Sequence, residues 1–402
     1  MKATTEQPDY NMKRCIMENK TKNTEKSTTE TVGNNSLSAD KLETARKTIR
    51  EIDSEMRRLF IRRMEAVHSV YEYKKEHALP ILDVAREEYL IRHNSERIED
   101  DEIRGYYTQF LRNNMRISRC YQARLMEGAK VAFSGVEGAF AYIAADKIFP
   151  DAKKISYHDF RTAYDSVVNG ECDFAVLPIE NSTAGEVGAV FDMLFSGSLY
   201  ITGVYDLYIT HHLMAKPGCS LSDIHEVISH PQALSQCAPY IREHDFSSTE
   251  FENTARAAKF VSESERSDIA AIASEETAKL YGLDIIARNI NANNTNTTRF
   301  ATVARAKVST HEERDRHSIM MFTVSNEAGS LAHAINVIGK YGYNMRCLRS
   351  RPMKELLWQY YFYVEAEGNF DTENGRKMLS ELSLFCDKLK VLGSFRYPAE
   401  IR

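Results

Sequence analysis

The chain has few cysteines and no pattern among them. The seven stand at 15, 120, 172, 219, 237, 347 and 386, with no Cys-x-x-Cys pair and an odd total. A disulfide framework or a zinc site is not the expectation; reduced thiols in a cytoplasm are. No run of about 18 apolar residues occurs, so no membrane-spanning helix is predicted. The first residues lack the apolar core of a secretory signal. A formal net charge of -5 leaves no basic field for nucleic acid. Metal-ligand spacing is missing, as is any strong internal repeat. What remains is ordinary: 43% apolar and 27% charged residues, as in soluble globular proteins. At 402 residues, two to four domains are expected.

Residues 1–37 are rich in Thr, Asn, Lys and Glu and poor in apolar side chains, which predicts a disordered tail. Residues 38–127 read as helical. Asp40 with Glu43 resembles a capping box opening the first helix. Leu42, Ala45, Ile49, Ile52, Met56 and Leu59 follow three- and four-residue steps, a heptad seam that packs against another helix. After Pro80 a second helix starts near Asp83, and a third runs from about Ile103 to Met126. From Val131 short apolar runs alternate with helical stretches: Val131–Phe133, Phe174–Leu177, Tyr200–Val204, Glu226–Ile228 and Ile269–Ala273. That rhythm predicts an α/β domain over 130–305 with a mostly parallel sheet. A charged linker, 306–316, contains His311, Glu312, Glu313, Arg314 and Asp315. Residues 317–402 read strand, helix, strand, strand, helix, strand, a ferredoxin-like α+β order.

Cations interrupt the seam. Its register places Arg63 after Leu59, and Lys74 lies eleven residues on, about 20° away around the helix. The second helix puts Asp83, Arg86 and Glu87 on one face. The third sets Ser118 and Gln122 in line with Tyr107 and Leu111. An interior with several cations, two carboxylates and small hydrogen-bonding groups suits a small dianion. Internal ion pairs, Arg63 and Arg86 with Asp83 and Glu87, account for the same residues without a ligand.

In the first-helix pattern, the Asp-x-x-Arg-Glu of the second helix and the Ser-x-x-x-Gln of the third, Leu42–Gln122 resembles the all-helical chorismate mutases. That resemblance implies that Arg46, Arg63, Lys74, Asp83, Arg86, Glu87, Ser118 and Gln122 hold the substrate. It implies a rearrangement of chorismate to prephenate with no proton transfer, achieved by holding the substrate folded and stabilising charge on the breaking ether oxygen. Arg46, Arg63 and Arg86 would grip carboxylates, Lys74 and Gln122 would donate to the ether oxygen, and Glu87 would accept from the hydroxyl. It also implies an intertwined homodimer in which one such Arg crosses between subunits.

In the α/β region, polar turns follow strands: Gly135-x-x-Gly138, Glu180-Asn181-Ser182-Thr183, Ser229-His230-Pro231-Gln232, and Asn293 to Phe300, which ends Thr298-Arg299-Phe300. Each sets hydroxyl, amide and N–H groups at a strand's carboxyl end, where such sheets bind anions. Taken singly they are also what caps and tight turns look like. Together with Glu252 they resemble the prephenate dehydratases. The resemblance implies loss of hydroxide and carbon dioxide from prephenate to give phenylpyruvate. Thr298 would be the acid, helped by a network for which Glu180 is a candidate. Asn181, Ser182, Thr183, Ser229, Gln232, Glu252 and Arg299 would contact substrate. A two-lobed domain like the periplasmic binding proteins is implied. Ala139, Phe140 and Ala141 follow Gly138 where relatives often carry hydroxyls.

The last segment, with Glu327-Ala328-Gly329-Ser330-Leu331 at its first turn and Arg349-Ser350-Arg351-Pro352 later, resembles an ACT domain. Phenylalanine bound by Gly329, Ser330, Leu331, Arg349, Ser350, Arg351 and Pro352 is implied, and with it feedback inhibition. A dimerisation domain without ligand is the alternative. The whole chain resembles the bifunctional chorismate mutase–prephenate dehydratases. A homodimer or higher oligomer is expected, with chorismate and prephenate as substrates and no cofactor, metal, nucleic acid or membrane. Two other readings stay open from residues alone: a dehydratase whose helical domain only dimerises, and a two-lobed sensor without turnover.

Overall fold

The computed structural model describes residues 31–292, 295–308, 316–353, 359–396 and 399–401. Most of the expected tail, Asn293 and Asn294, and His311 to Asp315 of the expected linker therefore lie outside the described residues. The chain divides into two units between Tyr73 and Lys74.

The first unit is helical. Helix α1 (Thr31–Glu76) runs 46 residues, roughly 70 Å at 1.5 Å per residue. It begins nine residues before Asp40, so Asp40 and Glu43 lie within it and do not cap it. Glu43 instead pairs with Arg50, one heptad on, at 2.7 Å. The apolar seam is exposed along its length: Leu42, Ile49, Ile52, Met56 and Leu59 each keep about half their surface in water.

The second unit opens with α2 (Val84–Ser95) and α3 (Asp101–Glu127). Both start on an aspartate cap: Asp83 accepts from the Arg86 N–H and Asp100 from the Ile103 N–H. Gly128, in the left-handed region at φ 77°, ends α3 and turns the chain into the first strand.

Next come β1 (Lys130–Ser134), α4 (Phe140–Ile148), β2 (Lys153–Tyr157), α5 (Phe160–Val168), β3 (Phe174–Asn181), the short β4 (Gly185–Glu186), α6 (Gly188–Ser196) and β5 (Tyr200–Tyr208). The chain then crosses to a second lobe: β6 (His212–Ala215), β7 (Glu226–Ser229), α7 (Pro231–Gln236), α8 (Ala238–Glu243), β8 (Ser247–Glu250), α9 (Thr254–Glu263), β9 (Ile269–Ala273), α10 (Glu275–Tyr281) and β10 (Asp284–Ala287). It returns to the first lobe through β11 (Thr297–Ala304). The first sheet includes the order β5-β11-β3-β1-β2, and the second is β10-β6-β9-β7-β8. Both are mixed, not mostly parallel. Each carries parallel pairs such as β1 with β3, but β11 runs antiparallel to both its neighbours because it enters from the other lobe.

The last described part is β12 (Arg316–Thr323), α11 (Ser330–Lys340), β13 (Met345–Pro352), β14 (Tyr360–Glu367), α12 (Glu373–Leu382) and β15 (Lys388–Arg396). The sheet order β13-β14-β12-β15, antiparallel throughout, is the ferredoxin-like one. All eight β12 residues are buried. One face packs on the apolar side of α11 and α12, and the other shares a core with the first lobe: Ile319, Met321, Tyr361 and Tyr363 join Phe191, Leu194 and Leu177. A final strand, β16 (Ala399–Ile401), returns to the first sheet and pairs parallel with β5. Among the described residues no helix is long and apolar enough to cross a membrane.

Candidate active sites

In the first unit, Arg46 is exposed and Arg63 is half-buried. Burial lowers the Arg63 guanidinium from its ordinary value. In the second unit, Lys74 donates to the Ile81 carbonyl. Asp83 does not stand free for a ligand: its Oδ1 accepts from the Arg86 N–H at 3.0 Å, as the cap of α2. Arg86 is exposed. Glu87, one turn into α2, is half-buried and ion-paired to Arg119 of α3. Ser118 and Gln122 are buried on the same helix, and Gln122 Oε1 has no hydrogen-bond partner among the described residues. Glu87, Arg119, Ser118 and Gln122 thus form a polar group on α2 and α3. Arg119 escaped the sequence reading because it neighbours Ser118 without fitting any expected spacing.

The second site lies where β3 and β11 run side by side. Their register pairs Thr298 with Asn181 and Arg299 with Glu180. Successive strand residues point to opposite faces. The Thr298–Asn181 face lines a cavity of about 170 Å³, bounded also by Phe140, Ile209, His211, His230, Gln232, Gln236, Asn253 and Asn296. Both lobes contribute, since His230 and Gln232 belong to the start of α7 and Asn253 to the start of α9.

A chain of hydrogen bonds organises this cavity. Asn181 Nδ2 donates to Thr298 Oγ1 at 2.9 Å and to Asn296 Oδ1 at 2.9 Å. Asn181 Oδ1 accepts from the N–H groups of Thr183 and Ala184, at 3.0 and 2.9 Å, and from Gln232 Nε2 at 3.3 Å. Asn296 Nδ2 donates to Gln236 Oε1 at 2.9 Å, and His211 Nε2 lies 3.0 Å from the same oxygen. Burial pulls the His211 imidazole down to about 4, with the Gln236 bond working against it. The Gly135–Gly138 turn leads into this wall: both glycines have positive φ, and the Gly138 carbonyl accepts from Thr277 across the lobes.

Several expected contacts fall elsewhere. Ser229 is fully buried and its hydroxyl donates to the Ile272 carbonyl at 2.6 Å, locking β7 to β9. Glu252 is exposed and paired with Arg256 one turn on; its neighbour Asn253 faces the cavity instead. Ser182 Oγ is occupied by the Thr295 carbonyl and the Thr297 N–H. Thr183 is exposed and contributes its backbone N–H. Glu180 and Arg299 sit on the far side of their strands from Thr298, so Glu180 cannot assist its hydroxyl directly.

On that far face a larger cavity, about 500 Å³, opens between the first sheet and the C-terminal sheet. Its charges are already matched. Arg299 bonds Asp206 at 3.0 Å and lies 3.6 Å from Glu365, which holds His317 at 2.7 Å. Arg349 pairs with Glu180, and Arg351 with Glu186 and with Asp192 at 3.4 Å. Arg349 and Arg351, expected to hold an effector, therefore face the first lobe; Ser350 and Pro352 alternate outward. Gly329 starts α11 at φ 90°, Ser330 bonds Ser325 at 2.9 Å, and Leu331 packs into the sheet–helix core. Among the described residues no group of three His, Cys, Asp or Glu could hold a metal.

Comparison with known proteins follows this division. Residues 45–123 match the family model Chorismate mutase type II, and residues 131–308 match Prephenate dehydratase. A bifunctional chorismate mutase/prephenate dehydratase from Aquifex aeolicus is 33% identical over 362 residues, covering 89% of this chain and 98% of that one. The chain belongs to the bifunctional chorismate mutase/prephenate dehydratase family. It is an enzyme of two reactions, and the two readings without one or both activities are set aside. An arogenate dehydratase/prephenate dehydratase of Arabidopsis thaliana is 34% identical over 280 residues, 67% of this chain and 73% of that one. A prephenate dehydratase from Arthrobacter aurescens, solved in complex with L-Phe, is 28% identical with a TM-score of 0.63, covering 68% of this chain and 93% of that one.

Proposed function

We propose that Thr298 is the acid of the dehydratase reaction and that Asn181 sets it. The Asn181 amide donates to Thr298 Oγ1, which leaves the hydroxyl's own proton for a group in the cavity. An N–H aimed at Oγ also stabilises the alkoxide left behind, which helps a weak acid act. The departing substrate hydroxyl takes that proton, carbon dioxide leaves, and the ring becomes aromatic. Gln232, His230 and Asn253 present polar groups to the substrate's carboxylates. The observation that carries this reading is the 2.9 Å contact between Asn181 and Thr298 in a cavity shared by two lobes, an arrangement we read as that of a two-lobed binding protein.

For the mutase reaction, Arg46, Arg63, Lys74, Arg86, Glu87 and Gln122 keep the roles the family resemblance gives them, with Asp83 and Ser118 shaping the helices that carry them. The exposed seam of α1 supports a homodimer, because half-exposed leucine and isoleucine at heptad spacing gain from a second helix. Phenylalanine as an inhibitor is supported by the L-Phe complex of the Arthrobacter relative and by the ferredoxin-like domain, read as an ACT domain. The turn at Gly329 and the outward side of β13, with Ser350, would meet the ligand. The free cysteines among the described residues suit the cytoplasm.

The test is a pair of variants assayed with chorismate and with prephenate, each with and without phenylalanine. Arg63→Ala abolishes only the first conversion and Thr298→Ala only the second; one variant abolishing both would refute the two-site reading. Arogenate belongs in the same assay, because the Arabidopsis relative is named for both substrates.

A further inference from the structure

We infer that His211 is a positioning residue for the dehydratase reaction, held as the neutral Nε2–H tautomer so that it anchors the amide chain ending at Thr298. The inference builds on the assignment of Thr298 as the acid.

Polarity along the chain is fixed at one end by backbone. Thr183 and Ala184 offer N–H groups, which can only donate, so Asn181 must turn Oδ1 toward them and Nδ2 toward Thr298 and Asn296. Asn296 must then give Oδ1 to Asn181 and Nδ2 to Gln236. Gln236 is left presenting Oε1 both to Asn296 and to His211 Nε2, 3.0 Å away. An oxygen there requires a hydrogen on His211 Nε2.

The other ring nitrogen decides the charge. His211 is 2% exposed, and its Nδ1 is buried with no hydrogen-bond partner among the described residues. A proton on Nδ1 would bury an unpaired donor and, with Nε2 protonated, a net charge as well. The ring is also fixed in place: its backbone N–H donates to Asn291 Oδ1 at 2.6 Å, and Phe140 meets it edge-on at 5.7 Å. The opposite tautomer would set a lone pair against Gln236 Oε1. Turning the Gln236 amide to relieve that would aim two donors, Gln236 Nε2 and Asn296 Nδ2, at each other. The disturbance would then pass through Asn296 to Asn181 and Thr298.

The first experiment is ¹⁵N NMR of the imidazole nitrogens in the parent chain at neutral pH, with His211 assigned by comparison with His211→Phe. The expected result is a protonated Nε2 and a bare Nδ1; an Nδ1–H tautomer or an imidazolium overturns the inference. The second is kinetic. His211→Phe keeps the ring's shape but removes the donor, and should lower kcat for prephenate about tenfold, the scale of one hydrogen bond, with KM little changed. His211→Gln, whose Nε2 can donate to Gln236, should restore most of it, and mutase turnover should not move in either. Equal turnover in both variants overturns the positioning role. If the Phe variant fails to fold, His211→Gln supplies the assignment and the parent's tautomer still decides. A fully active Thr298→Ala would remove the reading beneath this one without touching the NMR result.

Discussion

Thr298 and Arg299 are neighbours on one strand and face opposite ways: Thr298 into the cavity between the lobes, Arg299 into the contact with the C-terminal sheet. Asn181 and Glu180 repeat the arrangement on the adjoining strand. A change in how the C-terminal sheet holds Glu180 and Arg299 is therefore expected to act on the backbone that carries Asn181 and Thr298. That gives a regulatory ligand a short mechanical route, provided it prefers one arrangement of the sheet.

Removing Arg299 is the direct probe of this contact. Arg299→Met leaves Asp206 and Glu365 without their cation in a half-buried place, and breaking such a pair costs about 3 kcal/mol. The expected outcome is a lower urea midpoint and weaker prephenate turnover with unchanged mutase turnover. Arg299→Met with stability and dehydratase activity both at parent level would show that the contact is idle.

Arg349 and Glu180 test whether the same contact carries the proposed inhibition by phenylalanine. Arg349→Ala and Glu180→Ala should each alter inhibition by phenylalanine, and the double variant should resemble either single one, because both remove one ion pair. Strictly additive effects in that cycle would argue against coupling through the pair.

Glu87 is expected to matter to one reaction only. Glu87→Gln keeps the shape but loses the charge that Arg119 holds, and should lower chorismate turnover about a hundredfold while prephenate turnover stays at parent level.

Acid should weaken the fold through His211. Its folded value, about 4, lies below the ordinary 6.5, so between those values the unfolded chain binds the extra proton. The stabilisation is complete above pH 6.5 and is lost as pH falls toward 4, in total a few kcal/mol at about 1.4 kcal/mol per unit. Denaturation midpoints of the parent and of His211→Phe should converge as pH drops through that window. Parallel curves would mean that the imidazole is not held neutral.

Much of this was legible in the residues. The strand rhythm from Val131 and the helix starts at Asp83 and Ser330 are local signals, and the structure keeps them. β2 and β8 were not legible, because their polar residues show no apolar run; they are strands only because β1 and β7 offer them an edge. β16 is only three residues long, too short for a pattern of its own. Motif reading named Asn181, Gln232 and Thr298, which the fold brings to one cavity, but could not tell which face of a strand each neighbour takes. Glu180 and Arg299 lie on the opposite face of their strands from Thr298, and the Ser229 hydroxyl bonds a neighbouring strand. His211, Gln236 and Asn296 carry no motif; only the fold makes them adjacent.

The most direct test of the account is Asn181→Asp. The exchange keeps size and the acceptor but replaces the donor that reaches Thr298 and Asn296. Measured on one preparation, prephenate turnover should fall a hundredfold or more, on the order of a lost acid catalyst, while chorismate turnover stays near the parent's. Prephenate turnover within a few-fold of the parent would contradict the claim that the Asn181 amide sets the acid.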